Sequence, residues 1–262
     1  MQKRHQDPLQ YLNEQIISTQ KHVLPFIGNV FPIMEGLQVL EIGCGEAGNL
    51  KPFLDLGCIC TGVDFSTPKI EKGKAYYANH PFSQNLTLIS EDIYEIKEFQ
   101  SKFDLIILRD VIEHIHNQDK FLGLMKTLMA PGGVAFFAFP PWQNPFGGHQ
   151  QICENSLLSK LPYYHLLPRF IYKAVLKLGK ESDGKIMSLL EIKQTGISLD
   201  RFERLCFKNR YKIRQKRLYL VNPNYEIKFG LKPRALPFWM NIPIIRNFYT
   251  TAGYYLISAT EK

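Results

Sequence analysis

The spacing of apolar positions changes along this chain, and the changes mark its elements. Leu9, Leu12, Ile16 and Ile17 recur near helical spacing, which predicts a helix over residues 8–28. From Leu37 onward, short continuous apolar runs alternate with helical patterns. The runs predict strands at Gln38–Ile42, Cys58–Asp64, Leu86–Ile89, Phe103–Arg109 and Val134–Phe139, with helices at 48–56, 67–79 and 117–128 between them. Strands that are apolar throughout are buried on both faces, and their alternation with helices implies a parallel sheet covered on both sides. Right-handed crossovers then gather the carboxyl ends of the strands on one edge, where ligands bind.

After Phe139 the pattern changes. Residues 140–200 hold proline-rich and aromatic stretches and one basic amphipathic segment, Phe170–Lys180. In that segment Lys173, Lys177 and Lys180 fall on one stripe, and Phe170, Ile171, Ala174, Val175 and Leu178 on another. Two more strands are predicted at Lys212–Val221 and Gly253–Thr260, separated by a loop carrying Pro223, Gly230, Pro233, Pro237 and Pro243. The expected architecture is α/β: a doubly wound, seven-stranded, mostly parallel sheet with a helical and aromatic lid insertion. Its divisions are 1–34 (N-terminal helical extension), 35–140 (cofactor-binding core), 141–211 (lid over the acceptor) and 212–262 (strands completing the sheet).

Composition adds limits. The 262 residues, 45% hydrophobic and 21% charged, are ordinary for a soluble globular protein with a full core. No apolar run reaches the ~18 residues that span a bilayer. Met1–Asp7 lacks the apolar core of a secretory signal. Five cysteines, an odd number with no CxxC pair, read as reduced thiols in a cytoplasmic protein. The net charge of +8 is unevenly divided: residues 1–140 carry 12 Lys+Arg against 16 Asp+Glu, and residues 141–262 carry 20 against 8. A basic half attracts nucleic acid, anionic lipid or phosphorylated substrates, or is simply a solvated face.

Candidate chemistry concentrates in Val39-Leu40-Glu41-Ile42-Gly43-Cys44-Gly45-Glu46-Ala47-Gly48, answered by Thr61-Gly62-Val63-Asp64. This is a strand, a glycine-rich turn and a second strand ending in a carboxylate that can accept from a ribose diol. Dinucleotide dehydrogenases share such a turn. Here, however, Glu41 puts a carboxylate at the end of the first strand, which repels a pyrophosphate and favours a cationic ligand. Ser90-Glu91-Asp92-Ile93 closes the third strand with groups suited to an adenine amino group, and Met129-Ala130-Pro131-Gly132-Gly133 makes a tight turn before the fifth.

These segments, with Phe103-Asp104-Leu105-Ile106 and Val111-Ile112-Glu113-His114-Ile115, resemble the class I S-adenosylmethionine-dependent methyltransferases over roughly residues 35–140. The ubiquinone-biosynthesis O-methyltransferases are the group it looks like most. Ala47 stands where that family often has a third glycine. The resemblance implies S-adenosylmethionine as cofactor. It sets Gly43, Cys44 and Gly45 under the methionine part and Glu41 toward the cationic end. Asp64 takes the ribose hydroxyls, Phe65 flanks the adenine, and Asp92 with Ile93 meets its amino group and ring. Arg109 would contact the methionine part through its backbone.

Methyl transfer from a sulfonium is an in-line displacement, and a hydroxyl acceptor must also lose a proton. Asp110, Glu113 and His114 at i, i+3 and i+4 can share the face of a helix start. They resemble the Glu-x-x-Glu-His element of two metal-assisted groups, the ubiquinone-biosynthesis O-methyltransferases and the small-RNA 2′-O-methyltransferases, with Asp110 replacing the first Glu. Carboxylate and imidazole suit Mg²⁺ or Mn²⁺, and His149, in Phe146-Gly147-Gly148-His149-Gln150-Gln151, is a candidate fourth ligand. His149 as a metal-free general base, and a purely structural histidine, remain open beside this. Phe139-Pro140-Pro141-Trp142 resembles the Pro-Pro-aromatic element of amino-methylating enzymes, but it follows strand five rather than strand four, which argues against amine methylation.

The expected acceptor is a hydroxyl of a small molecule, glycan or lipid-like metabolite. The aromatic tail (Tyr219, Tyr225, Phe229, Phe238, Trp239, Phe248, Tyr249) suits an apolar or sugar-like acceptor and is equally good core material. RNA ribose 2′-O-methylation and a catalytically silent cofactor-binding protein are the alternatives. Residues 170–180 are a candidate peripheral membrane contact.

Overall fold

The computed structural model describes residues 8–260; Met1–Asp7, where the leader reading falls, lie outside them. The predicted N-terminal helix forms as α1 (Pro8–Ser18) and α2 (Leu24–Gly28), joined without a break by a π turn at Thr19–Val23. Four strands follow the predicted bounds to within a residue: β1 (Gln38–Ile42), β2 (Ile59–Asp64), β3 (Leu86–Ser90) and β4 (Phe103–Arg109). Between them, α3 is only Lys51–Leu54, because the chain stays in turns from Ala47 to Leu50, while α4 spans Thr67–Tyr77. Helix α5 (Gln118–Leu128) starts at Asn117, whose side chain accepts from Lys120 N at 3.0 Å, a normal N-cap.

Strand β5 runs from Met129 to Phe139, five residues earlier than predicted. The Ala130-Pro131-Gly132-Gly133 turn is thus an irregularity inside the strand: Met129 pairs with Phe103, and regular pairing resumes at Val134 with Leu105. Beyond β5 come α6 (Arg169–Leu178), α7 (Asp183–Thr195), α8 (Leu199–Lys208), β6 (Tyr211–Val221), α9 (Asn224–Phe229), the two-residue β7 (Arg234–Ala235) and β8 (Ala252–Ala259).

The sheet has the order β3-β2-β1-β4-β5-β8-β6-β7. The first five strands are parallel, and β8 pairs antiparallel to β5 and β6. The seven expected strands form, and β7 adds a short edge. One core cluster packs Phe121 and Met125 of α5 and Phe202 of α8 against Leu40, Ile106, Phe137 and Tyr255. Another packs Phe26, Ile27 and Phe53 against Val39, Leu105, Phe136 and Tyr254 on the opposite face. Residues 197–208 therefore belong to the sheet's covering, and a third, smaller cluster holds Tyr164, Tyr172, Leu176 and Leu189 of the 141–196 insertion. All five cysteines are free and buried, as reduced thiols should be. No helix among the described residues is long and apolar enough to cross a membrane.

Candidate active site

The glycine-rich turn leaves β1 at the carboxyl edge. Gly43 has φ +73°, and a Cβ there would lie 2.6 Å from Val111 Cγ2, so both conformation and space call for glycine. Ala47 sits at φ +64°, which explains why a glycine suits this position and shows that alanine holds it at some strain. The turn is closed by backbone donation from Gly43 N to Val63 O at 2.7 Å and from Gly45 N to Asp64 Oδ2 at 2.9 Å.

Asp64 also accepts from Ser66 N at 2.8 Å, so its carboxylate is fixed at the tip of β2 with further acceptor capacity on each oxygen. Next to it Phe65 is exposed, as a side chain flanking a planar ligand would be. Asp92 caps its own turn by accepting from Tyr94 N at 2.9 Å, and Ile93 is buried. Glu41 is buried, accepting from Asn49 Nδ2 at 2.6 Å, while its other oxygen meets no donor among the described residues. Burial pushes its carboxyl up to about 8.

The Arg109 side chain is engaged within the protein. Its Nη1 donates to Thr19 Oγ1 (2.8 Å) and Asn49 Oδ1 (2.6 Å), and Nη2 to Ser18 Oγ (3.0 Å) and Asn224 Oδ1 (2.7 Å). One guanidinium thus ties α1, α9 and the glycine turn together over the carboxyl end of β4. A second bridge, His22 to Glu226 at 2.8 Å, reinforces the α1–α9 contact. A small cavity of about 40 Å³ opens beside Tyr11, Asn49, Arg109 and Asp110. Sequence reasoning missed Ser18, Thr19, Asn49 and Asn224: short polar side chains carry no periodic signal, and they meet only because the sheet brings residues 18, 49, 109 and 224 to one edge.

The expected helical triad takes a different form. Residues after β4 make a single 3₁₀ turn, Ile112–His114, and Asp110 precedes it at φ +55° with its N bonded to Ala138 O. A helix face shared by Asp110, Glu113 and His114 therefore does not exist. Instead Glu113, His114 and His149 converge, with their ligand-type atoms all within 4.8 Å of one another, and Asp110 is outside this group. The imidazoles of His114 and His149 lie edge to face, 5.0 Å between centroids.

His149 reaches this point from a distant turn. It adopts φ +55° after Gly147-Gly148, and a Cβ on Gly148 would come within 2.4 Å of His165 Cβ. The glycines let the 146–149 turn press against the lid. Glu113 is buried, and neither of its oxygens meets a donor among the described residues. Burial, then the charge of nearby Asp110, pushes its carboxyl well above the usual range. Burial holds His149 down to about 4 and lowers His114, so both rings are neutral at neutral pH. A buried carboxyl beside two neutral imidazoles is a fitting donor set for a divalent cation that would displace the carboxyl proton, and the imidazoles can equally receive a proton.

The other candidates are structural. His116 lies at the surface against Glu191 at 3.1 Å. Trp142 is fixed by its N bonded to Ile197 O at 2.8 Å and by an edge-to-face contact with buried His165, which leaves its ring to the lid's packing rather than to an amine.

Comparison with known proteins agrees with this geometry. Residues 13–169 match a family model described as a methyltransferase domain. Over 104 residues the chain is 31% identical to the ubiquinone biosynthesis O-methyltransferase of Brucella anthropi, covering 40% of this chain and 41% of that protein. Its counterpart in Chelativorans sp. is also 31% identical over 104 residues, with 40% of each chain covered. The chain spans about two fifths of the length of these curated relatives.

Among solved structures, geranyl diphosphate C-methyltransferase of Streptomyces coelicolor A3(2), in complex with Mg²⁺, geranyl diphosphate and S-adenosyl-L-homocysteine, superposes with TM-score 0.56 at 10% identity. That match covers 91% of this chain and 78% of that one. Haemonchus contortus phospholethanolamine N-methyltransferase 2 gives TM-score 0.58 at 15% identity, covering 91% and 52%. At such identities the likeness is one of fold, and it is the matched domain that settles kinship: this chain belongs to the methyltransferase-domain family.

Proposed function

We propose that the enzyme methylates a hydroxyl of a small lipid-like, glycan or quinone-like molecule, with Glu113, His114 and His149 serving the acceptor side. The observation that carries this reading is the convergence of those three side chains, from two separate segments, at the carboxyl edge of the sheet. The curated relatives, named as O-methyltransferases, support an oxygen acceptor. Mg²⁺ or Mn²⁺ held by the three residues would lower the pKa of the acceptor hydroxyl.

The chain's own residues supply the rest. Glu41 and Asp64 orient the donor, and the α1–α9 closure over Arg109 excludes water from it. The acceptor oxygen attacks the methyl carbon as the carbon–sulfur bond breaks, its electron pair returning to sulfur. Where no metal is held there, the hydroxyl proton passes instead to a neutral imidazole, His149 or His114.

Labelled S-adenosylmethionine incubated with purified protein and cell extract tests the reading, with and without chelator. Label in an extractable small molecule supports it, and activity retained in chelator removes the metal. The basic half favours a second reading, RNA ribose methylation, and label in RNA would select it. Tight cofactor binding without turnover would point to a silent binder.

A further inference from the structure

The segment between α9 and β8 exposes a group of large apolar side chains that nothing in the proposed chemistry uses. Phe238 is 91% exposed, Ile244 70% and Trp239 66%, with Ile242 and Ile245 beside them. They are held outward rather than left loose. Arg246, buried at the foot of the segment, donates to Asp200 and Glu203 of α8 at 2.9 Å each and to Asn241 Oδ1 at 2.9 Å. Asn247 donates to Asp200 and accepts from Leu199 N. Ile244, a β-branched residue, is kept at φ +68°, a strained backbone that the clamp sustains.

A second element adjoins it. Tyr163, in the turn that leads to α6, donates its hydroxyl to Phe248 O at 3.0 Å, tying the approach to that helix to the end of the segment. Helix α6 buries Tyr172 and Leu176, not the stripe the sequence favoured, and leaves Phe170, Ala174 and Leu178 exposed beside Lys173 and Lys177. From Ile227 to Ile245 the chain carries Lys228, Lys232 and Arg234 and no carboxylate, and α6 carries Arg169, Lys173 and Lys177 and none.

We propose that the 238–245 segment and the outer stripe of α6 together form a docking surface for an anionic lipid bilayer. Aromatic and aliphatic tips beside Lys228, Lys232, Arg234, Lys173 and Lys177, with the nearby Asp200 and Glu203 paired to Arg246, complement acidic headgroups above an apolar interior, and Trp favours that boundary. Isoleucines so exposed, at 242, 244 and 245, would be idle on RNA, which asks for stacking platforms and phosphate contacts. The surface stands apart from the acceptor's identity: a soluble acceptor would leave it untouched.

The test is co-sedimentation of the intact protein with phosphatidylcholine vesicles, with and without phosphatidylglycerol. We expect binding that requires phosphatidylglycerol and weakens with salt. Phe238→Ser/Trp239→Ser should lower partitioning about tenfold or more, a loss of about 1.4 kcal/mol or above for the pair. Lys173→Glu/Lys177→Glu should lower it to a similar degree. Brominated lipid should quench Trp239 fluorescence in the unaltered protein, a readout that needs no variant to fold. Absence of binding to phosphatidylglycerol vesicles overturns the proposal, as does either double variant binding normally. So does a concentration-dependent dimer that the Phe238/Trp239 variant dissolves, which would make the face a contact between copies.

Discussion

The donor half and the acceptor half of this enzyme are built by different means. Between residues 38 and 93, the groups proposed to face the cofactor sit at the ends of successive strands, a few residues from the glycine turn or the strand that positions them: Glu41, Gly43, Asp64 and Asp92. On the acceptor side the chemistry is assembled across distance, Glu113 and His114 meeting His149 from beyond β5. Charge divides the same way, an excess of acid before residue 141 and of base after it. The contrast teaches that a donor common to a large family can be bound by backbone turns and strand ends, whereas the acceptor depends on side chains carried by loops.

The sharpest way to break the comparison is to remove the acceptor chemistry alone. His149→Ala, or His114→Ala, should lower kcat by about 10²- to 10⁴-fold while leaving S-adenosylmethionine affinity unchanged, measured by single-turnover label transfer and calorimetry. A matching loss of cofactor affinity would merge the two halves.

Asp64→Ala is the reverse operation. It removes the strand-end carboxylate and should weaken cofactor binding about 100-fold with chemistry intact at saturation. Unchanged affinity would move the ribose elsewhere.

Arg109→Ala attacks the seam between the halves. It removes the four hydrogen bonds the guanidinium donates to Ser18, Thr19, Asn49 and Asn224, whose side chains keep their bonds to one another and to Glu41, and should cost about 2 kcal/mol of stability. Amide exchange should rise in residues 8–28 and 224–229 ahead of the sheet; a uniform rise would mean the residue supports the whole fold rather than the closure.

The smallest effect concerns Glu41. Its folded value of about 8 lies above the ordinary 4.5, so the folded chain keeps a proton that the unfolded chain releases between those values. Stability of the free protein should therefore fall as pH rises from about 5 to 8. Glu41→Gln should flatten that slope by a few degrees of Tm between pH 6 and 8 in thermal melts, and bound S-adenosylmethionine, being cationic, should flatten it too. A slope untouched by both would argue against a protonated Glu41.

Legibility followed the same division. Strand positions, the parallel core, the glycine turn and Asp64 were all visible, because a buried strand writes itself as a continuous apolar run and a tight turn as glycine. The Asp110-to-His114 spacing misled, because a helix face was assumed where the chain makes one 3₁₀ turn after a left-handed Asp110. Helix α7 went unseen for a related reason: its apolar residues do not gather on one face, and it buries Ile186, Leu189 and Leu190 within the lid while exposing Met187. The aromatic tail was weighed as core or acceptor pocket, yet of those residues Tyr219 is buried while Phe229, Phe238, Trp239 and Phe248 are exposed.

By itself, then, the sequence determined the sheet, its edge and the donor it binds, since these depend on local periodicity and on backbone conformations that particular residues permit. Only the tertiary structure decided which polar side chains meet: Arg109 with the N-terminal helix and α9, His149 with Glu113 and His114, and Arg246 beneath an outward-held Trp239. Those pairings depend on where crossovers return the chain, and burial, not spacing, then sets the protonation of Glu41, Glu113 and His149.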